Sequence, residues 1–292
     1  MLNQDRRNPI RSLSTNVIAE YLAGKSILSA ELFSSGKCNS NYKLTLDDGI
    51  VCVARFYNSE NPDRECFVMD LARKIVPVPR EFYRGNDWVI LEFLNGKLLE
   101  LVPEYSKAAG IAIAQFSSHI FDCPGRIEAD GSISSFEFGG LQGFVELSME
   151  NPIVQEWLGS ERRERLIAIL NERRWMFEEL DSQTHLVHGD FNPTNILVES
   201  GQICGILDWE YALAGTPFMD IGNLLRNTDE NFHKDIHEGL LEGGMDLPED
   251  WKERAELVDI SSQLEFLTST LSNEFKKQCL KRIDWHIKKC GQ

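Results

Sequence analysis

His188, Asp190 and Asn195 fall within eight residues of the stretch "HLVHGDFNPTNILV" (185–198), wedged against apolar runs. A metal cluster, a polar turn and the working loop of an enzyme are the three candidates. His188 and Asp190 lie two apart, which excludes the i, i+4 pair by which a helix offers two ligands to a metal. Taken alone, each polar residue reads as a turn cap. Thirteen residues beyond Asn195, however, Asp208 ends the apolar run of "GILDWE". An unpaired carboxylate facing a core there would cost several kcal/mol, and a cation beside it removes the objection. Asp208 and Asn195 both offer oxygen, which suits magnesium rather than zinc. Asp190 is then free to accept a proton. That division of labour is the one phosphoryl transfer needs: metal on the phosphate oxygens, a separate carboxylate for the hydroxyl proton.

Elements that could position such a set are legible around it. "STNVIAEYLAG" reads as a short capped helix stopping at a Gly, and "NYKLTL", "DDG", "IVCVARFY" as strand, turn, strand. A helix over "ENPDRECFVMDLARKIVPVP" has Asn61 as its cap and Pro62 at its first position, with Pro77 and Pro79 stopping it. "DWVILEFLNG" is a buried strand entering a turn. After Gly96, "PEYSKAAGIAIAQFSSHI" and "SERRERLIAILNERRWMFEEL" have helical spacing. Two short strands flank "VESGQ" between about 185 and 208, and helical patterns dominate from about 217 onward. The expectation is an α+β chain of two lobes: a strand-rich one over 1–95 ending in a hinge at "EFLNG", and a mainly helical one over 96–292. Strand alternation places Val51, Val53 and Arg55 on one face, so Arg55 points inward and needs a partner. Glu65, sharing a helix face with Val68 and Ala72, can supply it. The two are either a structural ion pair or a cation for phosphate and its holder.

Bulk properties narrow the function classes. The 292 residues carry a formal charge of −16, which repels phosphate backbones and argues against nucleic acid, while tolerating cationic small molecules. The seven Cys include no C-x-x-C pair, as expected of reduced thiols in the cytoplasm rather than a zinc site. No apolar leader and no run long enough for a membrane span is evident.

"HGDFNPTN" followed by "ILDWE" resembles the H-G-D-x-x-x-x-N and [IV]-D-[WF] motifs of aminoglycoside phosphotransferases and their relatives, including choline, fructosamine, homoserine and methylthioribose kinases. The resemblance implies a two-lobed protein-kinase-like fold. It also implies ATP and magnesium as cofactors and a small-molecule hydroxyl as acceptor. On it, Asp190 is the catalytic base, Asn195 and Asp208 hold magnesium, and His188 braces the catalytic loop. Asp220, in "AGTPFMDIGNLL", ties that loop in place. Arg55 and Glu65 resemble the kinase strand cation and its helix Glu, with Arg where protein kinases place Lys. "SSGKCNSNYKL" resembles the family's nucleotide loop, keeping Gly36, Asn39, Tyr42 and Lys43 but with Ser35 for the first Gly. "VILEFLNG" resembles the hinge, where the Glu92 carbonyl and Leu94 N–H would pair with adenine.

The acceptor is less legible. Glu210, directly after "DW", is placed to bind an ammonium group. The acidic stretch 228–250 reads as a wall for a polyamine-like substrate or as a solvated loop. "DGSISSFEFGGLQGFVE" reads as an acceptor-pocket lining or a surface hairpin. No activation segment ending in A-P-E follows Asp208, which argues against a regulated protein kinase. A non-catalytic nucleotide-binding module and a metal-dependent phosphohydrolase are the competing classes. Antibiotic inactivation and a metabolic role on choline, homoserine or a sugar compete within the kinase class.

Overall fold

The computed structural model describes residues 8–33, 38–58 and 62–290. The nucleotide-loop expectation at Ser35 and Gly36, and the Asn61 cap, lie outside these residues. The chain opens with a four-residue helix, α1 (Ala19–Leu22), shorter than its pattern suggests and without a side-chain cap. Strands β1 (Ile27–Leu32), β2 (Ser40–Leu46), β3 (Val51–Phe56), β4 (Glu81–Arg84) and β5 (Trp88–Glu92) form one antiparallel sheet ordered β1-β2-β3-β5-β4. Helix α2 (Asp63–Ala72) enters between β3 and β4. Its regular part ends at Ala72, and turns carry the chain down to Pro77.

The two faces of this sheet have different duties. Cys52, Ala54 and Phe56 of β3 join Leu44, Leu46, Trp88 and Ile90 in a small core closed by Ile18 and Leu22. On the other face Val89 and Leu91 join the main core through α2, whose Val68, Met69 and Ala72 are buried. Arg55 sits on this second face and is 6% exposed, as strand alternation requires.

Beyond the hinge the chain is mainly helical. β6 (Lys97–Leu98) leads to α3 (Ser106–Phe116), the strands β7 (Gly125–Ile127) and β8 (Ile133–Ser134), and helices α4 (Leu141–Glu150), α5 (Pro152–Glu172) and α6 (Arg174–Asp181). The single long helix of the "SERRERLIAILNERRWMFEEL" pattern is broken at Arg173. β9 (His185–Val187), β10 (Ile196–Glu199), β11 (Gln202–Ile206) and β12 (Leu213–Gly215) frame the polar loops. They complete two small sheets, ordered β11-β10-β6 and β8-β7-β12-β9. Then follow α7 (Phe218–Leu225), α8 (Glu230–Glu242), α9 (Trp251–Thr268) and α10 (Asn273–Cys290). The "DGSISSFEFGG" stretch is a hairpin edge leading into α4 and contributes nothing to the cleft described below. The acidic stretch after 228 is a helix rather than a solvated loop: Phe232, Ile236 and Leu240 are buried one turn apart, and Asp229 caps its N-terminus.

Helix α8 lies against α3 at backbone contact. A Cβ on Gly239 would stand 2.1 Å from the Lys107 carbonyl oxygen, and one on Gly110 would stand 2.4 Å from that of Ile236. This crossing fixes α8, whose first turn borders the cleft. Gly239→Ala should therefore force the helices apart. A cost of about 1–3 kcal/mol for overpacking exceeds the ~1 kcal/mol that Ala gains in helix propensity. A thermal melt should show Tm lowered by several degrees; an unchanged or higher Tm would contradict the close crossing.

Candidate active site

The loop after β9 is shaped by its glycine. Gly189 has φ of +81°, and a Cβ there would lie 2.4 Å from the Tyr211 carbonyl oxygen, so no side chain fits between His188 and Asp190. Asp220, wholly buried at the start of α7, accepts the N–H groups of His188 at 2.7 Å and Gly189 at 2.9 Å. Burial pushes its carboxyl up to about 7, with the two donors opposing. It ties the loop down, as the sequence motif implies.

His188 is equally buried. Its Nδ1 accepts the Asp190 N–H at 3.2 Å, so Nε2 carries the proton and donates to the Leu207 carbonyl at 2.9 Å. The ring thereby joins the loop of Asp190 to the residue before Asp208. Burial holds the imidazole down to about 4, so it is neutral at physiological pH. His188 is a brace and not a proton carrier.

Asp190 is held by three amides. The Nδ2 groups of Asn192 and Asn195 donate to it at 2.9 Å each, and that of Asn223 at 3.3 Å. Burial, then the charge of Asp208, pushes its carboxyl above the ordinary range, while the amides oppose. Asn223 escapes motif reading, but it shares a helix face with Asp220 at i, i+3, which is the signal that could have found it.

Asp208 follows β11 in the left-handed region, at φ 69° and ψ 62°, a conformation that a non-Gly residue holds only under external constraint. Its Oδ1 accepts from Arg55 Nη2 at 2.6 Å. The same guanidinium lies 3.3 Å from Glu65 and 3.4 Å from Glu210. Glu65 also accepts the Tyr57 hydroxyl at 2.5 Å. The strand cation and helix carboxylate are thus one buried pair, as alternation suggests, and Asp208 joins it from beyond the hinge. Asn39 donates to Glu210 at 2.7 Å, so this side chain is engaged by a carboxylate. Burial, then the Asp208 charge, pushes Glu210 up to about 8. Glu210 consequently sits beside Arg55, on the sheet side of the cleft.

Two residues without a motif complete the joint. Arg64, at the start of α2, donates to the carbonyls of Ile127, Glu210 and Ala212. Asn41, opposite Arg55 in the β2–β3 register, has a buried Oδ1 with no partner among the described residues and borders the cleft.

All of this lines one cleft of about 1260 Å³. One half lies under the sheet, with Val53, Leu91, Leu94, Leu197 and Ile206; Glu92 and Leu94 of the hinge border it. The other half lies over Asn223, Arg226, Phe232, Phe266 and Arg282. Among the described residues no three His, Cys, Asp or Glu converge as a ready metal cluster. Magnesium asks for less, because it keeps waters and phosphate oxygens among its six ligands. The donor set fits it. Asn195 commits its Nδ2 to Asp190, which leaves its Oδ1 as the free donor atom, and the Asp208 side chain is 33% exposed to the cleft. Glu65, Asp208 and Glu210 crowd around the single Arg55, an excess of carboxyl groups that raises the proton affinity of Glu210 and that a cation would relieve.

An antiparallel sheet, a connecting segment and a mainly helical part, with these carboxylates in the cleft between, make a protein-kinase-like fold. The chain matches the phosphotransferase enzyme family over residues 29–257 and belongs to it. The macrolide 2'-phosphotransferase of Brachybacterium faecium superposes with a TM-score of 0.66 at 17% identity, covering 93% of this chain and 98% of that one. The GDP complex of aminoglycoside 2'-phosphotransferase-IIIa gives a TM-score of 0.70 at 19% identity, over 94% and 97% of the two chains. A thermostable mutant of aminoglycoside phosphotransferase APH(4)-Ia, in a ternary complex with AMP-PNP and hygromycin B, gives 0.63 at 16% identity over 94% and 98%. At such identities the likeness carries the fold alone. The hygromycin-B 4-O-kinase of Escherichia coli is 33% identical over 55 residues, which span 19% of this chain and 16% of that relative. Among the described residues no helix is long and apolar enough to cross a membrane.

The His188 brace carries a pH signature. Its folded pKa of about 4 lies below the ordinary 6.5, so the neutral ring's contribution is fully present above 6.5 and is lost as pH falls through 4. The loss amounts to about 3 kcal/mol across that window. His188→Gln removes the titration. Denaturant unfolding at pH 7 and pH 4.5 should show a smaller acid loss in the variant than in the parent; equal losses would contradict a buried neutral ring.

Proposed function

We propose that the protein transfers the γ-phosphoryl group of ATP, with magnesium, to a hydroxyl of a small molecule. The observation carrying this is the Asp190 carboxylate, fixed by Asn192, Asn195 and Asn223 in the cleft that Asp208 and Arg55 also face. In this reading Asp190 receives the acceptor's proton. Its raised proton affinity, caused by burial and by Asp208, makes it a better base than a solvated Asp. The three amides hold it against rotation, so the proton is taken from one direction. Asp208 and Asn195 would hold magnesium, which when bound neutralises phosphate oxygens. Arg55 presents a planar fork to those oxygens, and Glu65 holds the fork from behind. Val53, Leu91 and Leu197 provide apolar walls for a base beside Glu92 and Leu94.

The alternative of a nucleotide-binding module without catalysis is disfavoured because Asp190, held by Asn195, and Asp208, held by Arg55, face one cleft with the side chains that a base, magnesium ligands and a phosphate cation would need. A phosphohydrolase would not require the apolar half of the cleft beneath the sheet.

Two variants separate the roles. Asp190→Asn should keep a thermal shift with ADP and magnesium and cut acceptor-dependent ADP release by two to four orders of magnitude, the range attributed to a positioned general base. Asp208→Asn should abolish the magnesium-dependent part of the shift. Undiminished turnover in Asp190→Asn would rule out its role as base.

A further inference from the structure

The half of the cleft away from the sheet has an unexpected charge arrangement for a chain of net charge −16. Asp259 of α9, with a 1% exposed side chain, lies behind the lining and bridges two guanidinium groups that border this half. Arg226 gives it Nε at 2.7 Å and Nη2 at 2.6 Å. Arg282 of α10 gives Nε at 3.1 Å, and Gln263 adds an amide at 3.2 Å. The carboxylate is saturated, and the cluster is left with one positive charge in excess. His286 and Cys279 do not alter that balance: burial holds His286 down to about 4 and pushes the Cys279 thiol up to about 11, so both are neutral.

Each guanidinium keeps spare donors. Arg282 Nη1 bonds Asn227 Oδ1 at 3.2 Å, while its Nη2 and the Nη1 of Arg226 have no protein partner among the described residues. Arg226 is fixed in place over the Phe266 ring, 5.3 Å from its centroid. Both Arg residues border the cleft, with side chains only 15% and 25% exposed. Acids border this half too, but at its rim. Asp229 and Glu265 are exposed, and Asp235 accepts the Ser106 hydroxyl. Rim charges are screened by water and salt, whereas the floor pair acts at lower effective dielectric. Location relative to the chemistry follows from α7: Arg226 is one helical turn, about 5 Å, beyond Asn223, which touches Asp190.

We infer that Arg226 and Arg282 form an anion-binding subsite of the acceptor, so that the acceptor carries a carboxylate or phosphate group a short molecule's length from the hydroxyl that is phosphorylated. This rests on the phosphotransferase reading and reverses the expectation of a cationic acceptor raised by net charge. Asp259 fixes both guanidinium groups at this end of the cleft, each with a spare N–H donor, and guanidinium groups bind planar carboxylate and tetrahedral phosphate alike.

Four hexoses with a common hydroxyl frame supply the test: glucose, glucosamine, glucuronate and glucose 6-phosphate. Each is added at millimolar concentration to protein already saturated with ADP and magnesium, and Tm is read. Glucuronate or glucose 6-phosphate should raise Tm by a few degrees over glucose, and the better of the two says whether carboxylate or phosphate is preferred. Arg282→Gln should erase that increment, and Arg282→Lys should keep part of it. If one of these variants does not fold, the panel on the parent protein still decides. A preference for glucosamine, or no discrimination among the four, overturns the subsite. ADP and magnesium raising Tm without any anion preference would defeat this inference and leave the kinase reading standing. Anion preference without a nucleotide shift would do the reverse.

Discussion

The Arg55 guanidinium is the interaction on which the arrangement depends. It is buried on a strand of the first sheet, and its partners come from two places: Glu65 from α2, and Asp208 and Glu210 from the loop after β11. A buried charge without partners is untenable, so these segments can meet in few ways. Arg64 reinforces the same joint by donating to backbone carbonyls beyond the hinge. Burying one Arg thus does two things at once. It registers the sheet against the helical part, and it gathers carboxylates whose mutual repulsion only a further cation relieves.

That repulsion adds to burial in raising the proton affinities in the cleft. Burial is the largest cause for Asp190 and Glu210, and in both the Asp208 charge comes second. Asp208 therefore works at a distance on Asp190 as well as locally on Arg55. The backbone strain at Asp208 belongs to the same design: an αL residue at a strand end turns the side chain out of the strand's alternation and toward the cleft. The apolar sequence before it gives the rigid rail from which that turn is made.

How much of this was legible depends on whether a residue's role is local. The loop 188–195 and Asp208 could be read because their chemistry is odd for their surroundings, polar groups amid buried strands. Arg55 could be read because alternation forces a charge inward. β1 could not: four of its six residues are exposed, so no alternation marks it as a strand. β4 is four residues long and mostly polar. The α8 stretch was obscured by its carboxylates, although Phe232, Ile236 and Leu240 repeat at four-residue spacing, which is the helical signal. Asn41, Arg64 and Asn223 act through partners remote in sequence, and only the register of a sheet or the face of a helix brings them in.

The charge arrangement across the cleft shows why the net charge of the chain is a poor guide to its acceptor. Surface carboxylates are numerous and screened, and they set solubility more than recognition. What a bound molecule meets is the local balance at low exposure. In the sheet-side half that balance is acidic: three carboxyl groups, Glu65, Asp208 and Glu210, face the one guanidinium of Arg55, and Glu210 is pushed up to about 8. On the floor of the other half it is positive, because Asp259 is shared by two guanidinium groups. Asp190 lies between them, reached from one side through Asn195 and from the other through Asn223. A molecule with its anionic group on the floor would present its hydroxyl upward to Asp190. A cation held among the upper carboxylates would draw the phosphates to the same point from above. Opposite local charges at the two ends of one cleft would thus orient two substrates toward a single carboxylate.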